Sequence, residues 1–158
     1  MDIYFVGSYN CKADAKGRVM LPVTLKNQVT PILDEGFVIK RSYLYENCLE
    51  LYPMSEWNTV MKELNAKSRY DRDVLNFIRK FTAGLRQIEI DATGRLLIPK
   101  NLVTMVGITK EVVLTSMGKY LEIWDKDLYE KEINVSPEEG ANLAKKVMGG
   151  EDKKDELS

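Results

Sequence analysis

The sequence contains no histidine, and its two cysteines, Cys11 and Cys48, do not form a C-x-x-C pair. Without histidine, the common catalytic triads, most zinc sites and the usual general base at neutral pH are missing. A phosphate-binding loop is missing too, because Gly118 and Lys119 lack the upstream glycine of that motif. We therefore expect a protein that is not an enzyme and that uses no metal and no cofactor.

Long apolar runs are also missing. No stretch reaches the roughly 18 consecutive apolar residues of a membrane-spanning helix. Residues 1–7 are largely apolar, but this run is short and lacks a basic lead, so we expect no secretory signal and no membrane partner. Isolated cysteines without an export signal are typical of a reducing compartment. The expected localisation is the cytoplasm.

What the sequence does contain is one short stretch twice. Residues 14–18, Asp-Ala-Lys-Gly-Arg, correspond to residues 91–95, Asp-Ala-Thr-Gly-Arg, 77 positions later. Residues 49–52, Leu-Glu-Leu-Tyr, correspond to residues 121–124, Leu-Glu-Ile-Trp, 72 positions later. Such self-similarity indicates two equivalent units that pack on each other.

Both copies predict the same order of elements. Asp at the first position and Gly at the fourth position of residues 14–17 and 91–94 favour type I turns between two strands. Pro22 and Pro99 each end the second strand and suit the first turn of a short helix. Two β-branched strands follow in each copy, and period-two alternation around Cys11 places that thiol in the core.

We therefore predict an α+β fold that is mainly a β barrel, built from two interlocked halves with helices between and after them. The middle helices carry apolar stripes, including Trp57 and Phe77, that need a cover. They either pack on each other and on the barrel, or form a subunit interface. The predicted segments are a first repeat over 1–53, a helical insert over 54–84, a second repeat over 85–130, a C-terminal helix over 131–148 and a disordered tail over 149–158.

The repeat matches two pairs of carboxylates, Asp14 with Asp91 and Glu50 with Glu122. Paired carboxylates occur in acid–base catalysis, but their number alone is not evidence of it. A duplication repeats structural positions as readily as functional ones. With no histidine, metal cluster or predicted pocket beside them, we interpret Asp14, Gly17, Asp91 and Gly94 as residues that shape the two turns.

The net charge of −1 gives no nucleic-acid signature for the whole chain, so any basic surface must be local. A turn does not require the cations beside it. The first copy carries Lys12, Lys16 and Arg18, whereas the matching positions of the second copy carry Glu89, Thr93 and Arg95. The first tip is thus the better candidate for contacts with phosphates or base edges, with Arg95 as a secondary or structural candidate.

The two Asp-x-x-x-Arg stretches, each followed by a strand that ends in proline, resemble the repeated signature of the MraZ family. Residues 94–108 also resemble the wider AbrB group of swapped-hairpin barrels, which are double-psi-like. The resemblance covers nearly the whole chain, including residues 51–53 and 121–124. It implies an AbrB-like barrel whose two halves come from one chain.

The same resemblance implies a transcriptional regulator that acts as a repressor. It also implies a ring-like homo-oligomer that is associated with the nucleoid. Its partner would be tandem boxes in double-stranded promoter DNA upstream of the division and cell-wall gene cluster, including its own gene. Arg18 would contact DNA while Asp14 holds the loop. An oligomeric protein-interaction module without DNA binding and an antitoxin-type AbrB regulator are the alternatives. The sequence shows no site for a small molecule.

Overall fold

The computed structural model of the chain describes residues 4–149. Eight strands are present in this range: β1 Ser8–Lys12, β2 Arg18–Met20, β3 Phe37–Arg41, β4 Cys48–Pro53, β5 Arg86–Ile88, β6 Arg95–Leu97, β7 Glu111–Ser116 and β8 Leu121–Asp125. The same range contains six α-helices: α1 Val23–Val29, α2 Met54–Asn65, α3 Arg72–Phe81, α4 Lys100–Val106, α5 Lys126–Ile133 and α6 Pro137–Met148. A 3-10 helix, Thr30–Glu35, follows α1.

The two copies exchange their first strands. β1 of the first copy pairs antiparallel with β7 of the second, and β5 of the second copy pairs antiparallel with β3 of the first. The result is a six-stranded sheet in the order β1-β7-β8-β4-β3-β5, and β2 and β6 form a separate two-stranded ribbon. This pairing confirms the predicted interlocked halves.

The pairing register reveals a pseudo-two-fold relation between the copies. Val19 lies opposite Leu96 in the ribbon, and Glu50 lies opposite Glu122 in the sheet, so matched residues face each other at both places. Single β-bridges, Ala13 with Val19 and Ile90 with Leu96, join the ribbon to the two ends of the six-stranded sheet. The strands thus form a closed circuit around the core. Two sheets joined by two single bridges make up this circuit, in place of one continuous sheet.

The core is filled by both copies in equal measure. Leu25 and Val29 of α1, like Leu102 and Val106 of α4, are fully buried at the spacing of one helical turn. Gly107 ends α4 in the left-handed conformation, with φ 78°. Because the core lies between the ribbon and one face of the six-stranded sheet, the ribbon's outer face remains in solvent.

The cysteines belong to this buried part of the chain. Cys11 is 8% exposed and Cys48 is fully buried, which confirms the core position predicted for Cys11. Burial raises the pKa of the Cys11 thiol to about 11 and raises the pKa of the Cys48 thiol further, with a second contribution from the Glu122 carboxylate. Both thiols therefore stay protonated and unreactive at neutral pH.

The outer face of the six-stranded sheet carries a buried ion pair. The Lys40 ammonium, whose side chain is fully buried, lies 2.7 Å from a carboxylate oxygen of Glu50. The Tyr52 hydroxyl donates to the same oxygen at 3.1 Å, and the Trp124 indole donates to Glu122 at 2.9 Å. The lysine thus neutralises Glu50, which lies opposite the second buried carboxylate, Glu122, in the sheet.

The middle helices cover this face unequally. Trp57 of α2 is buried against Val38 and Tyr52, and Phe81 at the end of α3 stacks on Trp57 with a centroid separation of 5.9 Å. Phe81 also lies 4.1 Å from the Lys40 ammonium. The rest of α3 stays more open, and Phe77 is 40% exposed. The sheet therefore covers the apolar stripe of α2, but it covers only the C-terminal end of the apolar stripe of α3.

The start of α2 is not capped by a side chain of its own first turn. The helix begins at Met54, and both the N–H and the hydroxyl of Ser55 donate to a Glu35 carboxylate oxygen, at 3.0 and 2.8 Å. Glu35 closes the 3-10 helix after α1. A residue 20 positions upstream thus supplies the acceptor, which no local capping pattern could indicate.

The chain divides into two compact units, one up to Lys126 and one from Asp127 onward. In the second unit, α6 begins after Ser136, whose hydroxyl accepts the Glu139 N–H at 3.1 Å. No described helix has the length and apolarity that crossing a membrane requires. The tail predicted to be disordered lies outside the described residues from position 150 on.

Candidate nucleic-acid interface

The ribbon of β2 and β6 brings both signature arginines to one solvent-facing surface. Arg18 lies opposite Leu97, and Met20 lies opposite Arg95. Alternation buries Val19 and Leu96 in the core and leaves these four neighbours exposed. Diagonal positions of this kind lie ~7–8 Å apart, so the two arginines are neighbours although 77 positions separate them in the chain.

The first loop, residues 14–18, is organised by one carboxylate. Asp14 Oδ1 accepts the backbone N–H groups of Lys16 and Arg18, both at 2.9 Å. Its other oxygen, Oδ2, accepts the Arg18 Nε–H at 2.6 Å. The Gly17 N–H closes the turn on the Asp14 carbonyl at 3.0 Å. Asp14 holds only the Nε–H of the guanidinium, and the two terminal Nη groups of Arg18 make no hydrogen bond to any described residue.

The second loop, residues 91–95, repeats the arrangement. Asp91 Oδ1 accepts the backbone N–H groups of Thr93 and Arg95 at 3.1 and 2.8 Å, and its Oδ2 accepts the Arg95 Nε–H at 3.1 Å. The Thr93 hydroxyl donates to Oδ1 at 2.6 Å, an interaction that has no counterpart at Lys16. Both arginines are therefore held by their Nε atoms and present a planar fork.

The carboxylates stay ionised at neutral pH. The Arg18 N–H is the main group that holds the pKa of Asp14 below its ordinary value, while the Thr93 hydroxyl and then the Arg95 N–H lower the pKa of Asp91 to about 2. A lowered pKa means that each Asp–Arg pair is present above the ordinary Asp value and is lost only as the pH falls through the lowered one. Both carboxylates thus remain charged acceptors for the arginine N–H groups throughout the physiological pH range.

Each loop is also fastened to the other copy. The Ile98 N–H donates to the Gly17 carbonyl at 2.8 Å, and the Leu21 N–H donates to the Gly94 carbonyl at 2.8 Å. Both glycines have φ 86°, a left-handed conformation that favours glycine. A Cβ on Gly17 would come 2.5 Å from the Ile98 carbonyl oxygen, so only glycine fits there.

Replacing Gly17 by alanine is expected to lower the free energy of unfolding by roughly 2 kcal/mol or more, since it combines left-handed strain with a backbone clash. Gly118 is the matched control. Its φ is also 86°, and a Cβ there would meet only the Tyr4 ring at an ordinary 3.9 Å, so Gly118→Ala should show the strain alone. Urea denaturation of both variants checks this, and equal effects of the two substitutions would contradict the close approach at Gly17.

The exchange of strands places a lysine of the first copy against the second loop. The side-chain methylenes of Lys26 in α1 lie 3.0 Å from the position that a Cβ on Gly94 would take. The matching residue of α4, Val103, occupies the equivalent place against Gly17 at 3.3 Å. Lys26 therefore supplies a positive charge beside the second loop. The second copy itself has Glu89 and Thr93 where the first copy has lysines.

The structure brings most of the predicted site residues together. Lys12, Asp14, Arg18 and Arg95 line one shallow depression, which also includes Ala13 and Met20. Lys16 stands apart at the exposed loop tip, while Gly17, Asp91 and Gly94 shape the two turns. Within residues 4–149, no group of three or more Cys, Asp or Glu residues could hold a metal ion.

Sequence reasoning missed Lys26 and Met20. The sequence feature that could have indicated Lys26 is a difference between the two short helices. Lys26 of the first copy is charged, whereas the matching Val103 of the second copy is not. Its meaning depends on the exchange, because Lys26 lies in the first copy and packs against Gly94 in the loop of the second. Met20 carried no signal beyond its period-two spacing from Arg18.

A family model matches the part of the chain that contains this surface. The family model described as "MraZ protein, putative antitoxin-like" matches residues 4–77 and 81–146, which include both loops and the ribbon.

Several curated relatives, all named transcriptional regulator MraZ, match over nearly their whole length. The protein of Christiangramia forsetii is 52% identical over 150 residues, covering 95% of this chain and 96% of the relative. That of Flavobacterium psychrophilum is 55% identical, covering 91% of each chain. That of Cytophaga hutchinsonii is 34% identical, covering 92% of this chain and 95% of the relative. The chain therefore belongs to the MraZ family.

Proposed function

We propose that this chain is a sequence-specific DNA-binding regulator of transcription, and that the outer face of the β2–β6 ribbon is its DNA-binding surface. The observation that carries the proposal is the pair of Asp-anchored arginines presented on one ribbon. A two-stranded ribbon fits the major groove, and an arginine fork fits the O6 and N7 acceptors of guanine. The names of the relatives support a role in transcription.

The charge around the ribbon supports this surface although the net charge of the whole chain is near zero. Lys12 at the end of β1 and Lys16 and Arg18 in the first loop accompany the single carboxylate Asp14, and Lys26 stands beside the second loop. These lysines would contact phosphates, which adds salt-dependent affinity without sequence preference. The arginine forks would supply the discrimination between bases.

We further propose that several protomers act together as a ring-like homo-oligomer on tandem DNA boxes. One ribbon offers few contacts, so binding of two or more linked ribbons to adjacent boxes would raise the affinity by avidity. The exposed part of the α3 stripe, with Phe77 and the fully exposed Tyr70 nearby, offers apolar surface for self-association. Occupied boxes in the promoter of the division and cell-wall cluster, including this gene, would repress transcription.

The test is a mobility shift with DNA from upstream of this gene, against a scrambled duplex of the same length and composition. At physiological salt we expect the upstream DNA to be retarded at a protein concentration at least about tenfold lower than the scrambled DNA. Light scattering on the same samples reports the size of the free and bound oligomer. An oligomer that shows no DNA-dependent shift would instead support a protein-interaction module.

Lys26 provides a charge-specific prediction. Lys26→Gln keeps the Cβ and Cγ methylenes beside Gly94, replaces the Cδ methylene by an amide carbon and removes the charge. The slope of log K against log salt should become shallower by about 0.9 for each phosphate that the variant no longer neutralises. Discrimination against scrambled DNA should stay the same. Lys62 is an exposed residue of α2, so Lys62→Gln is the matched control and should leave the slope unchanged. An unchanged slope for Lys26→Gln would remove Lys26 from the surface.

A further inference from the structure

The outer face of the ribbon carries two exposed apolar side chains that fold stability does not explain. Met20 is 55% exposed and Leu97 is 53% exposed. Each lies directly opposite a signature arginine: Met20 opposite Arg95, and Leu97 opposite Arg18. Single exposed apolar residues are ordinary on protein surfaces. Their surroundings therefore decide whether either of them has a role.

The surroundings of the two side chains differ in charge. Met20 shares its depression with three cations, Lys12, Arg18 and Arg95, and with the single carboxylate Asp14. Leu97 borders a different depression whose charged residues are all acidic: Asp34, Glu35 and Glu89. A polyanion such as DNA would approach the first depression and be repelled by the second. Of the two exposed side chains, only Met20 lies where DNA bases would come close.

We propose that Met20 reads thymine, by packing against the C5-methyl group of that base in the major groove beside the arginine contacts. The inference rests on the proposed DNA-binding function and adds a specificity-determining residue to it. The thymine methyl is the apolar group that the major groove displays, and it distinguishes thymine from every other base. The unbranched, polarisable methionine side chain adapts to such a small apolar group.

The spacing within β2 fits this reading. Arg18 and Met20 are two residues apart on the same face, which in a strand corresponds to ~7 Å. Base pairs in B-DNA follow each other at about 3.4 Å. If β2 runs along the groove, Arg18 and Met20 reach base pairs about two steps apart, so one strand reads a hydrogen-bonding edge and a methyl group in a fixed order.

The experiment compares two versions of the upstream DNA, amplified with either dTTP or dUTP, because uracil lacks only the C5-methyl group. Binding is measured by fluorescence anisotropy for the wild type and for Met20→Gln, Met20→Leu and Leu97→Gln. The wild type should bind the thymine DNA about fourfold more tightly for each methyl contacted. Met20→Gln should bind both DNAs equally, and its affinity should match that of the wild type on uracil DNA.

The remaining variants complete the test. Met20→Leu keeps an apolar side chain and should retain the preference for thymine, and Leu97→Gln should retain it as well. A wild type that binds both DNAs tightly and equally, or a Met20→Gln variant that still prefers thymine, overturns the inference while leaving the proposed function standing. Loss of the preference in Leu97→Gln would overturn the assignment to Met20. Absence of binding to either DNA would overturn the proposed function itself.

Discussion

Replacing Arg18 by alanine is expected to weaken binding to upstream DNA by about 10- to 100-fold, the equivalent of removing one arginine fork from guanine. This effect should not reflect unfolding. The Arg18 side chain is 44% exposed, and its ion-pair partner is the equally exposed Asp14, so the free energy of unfolding should change by less than about 0.5 kcal/mol. Fluorescence anisotropy and urea denaturation measure the two effects separately.

Two further variants distinguish an arginine that reads bases from one that only attracts phosphate. Arg18→Lys keeps the positive charge and loses the planar fork, so it should keep the salt dependence and lose discrimination against scrambled DNA. Arg95→Ala should weaken binding less than Arg18→Ala, since its loop carries Glu89 and Thr93 in place of lysines. A larger effect of Arg95→Ala, without unfolding, would reverse the order of importance of the two loops.

Replacing Lys40 by methionine is expected to lower the free energy of unfolding by about 3–5 kcal/mol, the effect of leaving a buried carboxylate without its partner. Glu50 would then lie opposite Glu122 without the Lys40 ammonium, and the position that matches Lys40 in the second copy, Thr115, carries no charge. Methionine has a similar length and still packs on Phe81, so the removed charge dominates the effect. Tryptophan fluorescence in urea reports the transition through Trp57 and Trp124.

The double variant Lys40→Met with Glu50→Gln is the control for this prediction. It removes the unpaired carboxylate together with the lysine, so most of the stability should return. Because the chain is proposed to self-associate, all variants must be compared at one protein concentration. If the single variant costs less than about 1 kcal/mol, or if the double variant costs the sum of both single changes, the ion pair does not carry the stability assigned to it.

Much of the fold follows from the sequence because the duplication gives two independent views of each element. Turn residues at Asp14 and Asp91, prolines before each short helix and the matched residues 49–52 and 121–124 predict the element order that the structure shows. Comparison between the copies also predicts the buried Cys11, since Ile88 of the second copy occupies the matching position. These inferences depend on local chemistry, which sequence patterns record well.

The interlocking of the halves was predicted, but the specific strand pairing and its register were not. Which strand pairs with which depends on packing across the whole core, and no periodicity within a copy records it. Lys26 was therefore missed, because it lies in the first copy but its methylenes pack against Gly94 of the second. The ion pair of Lys40 and Glu50 was missed for a related reason. It breaks the symmetry of the repeat, so the second copy contains no lysine to draw attention to it.

The central claim is that the ribbon and its two loops form the surface that meets DNA, and lysine footprinting tests it most directly. The protein is acetylated with and without saturating upstream DNA, and the modification of each lysine is measured by mass spectrometry. The expected result is protection of Lys12, Lys16 and Lys26, while Lys62 and Lys67, which lie in and just after α2 beyond the opposite face of the six-stranded sheet, stay reactive. Protection of Lys62 and Lys67, with Lys12, Lys16 and Lys26 still reactive, would contradict the claim.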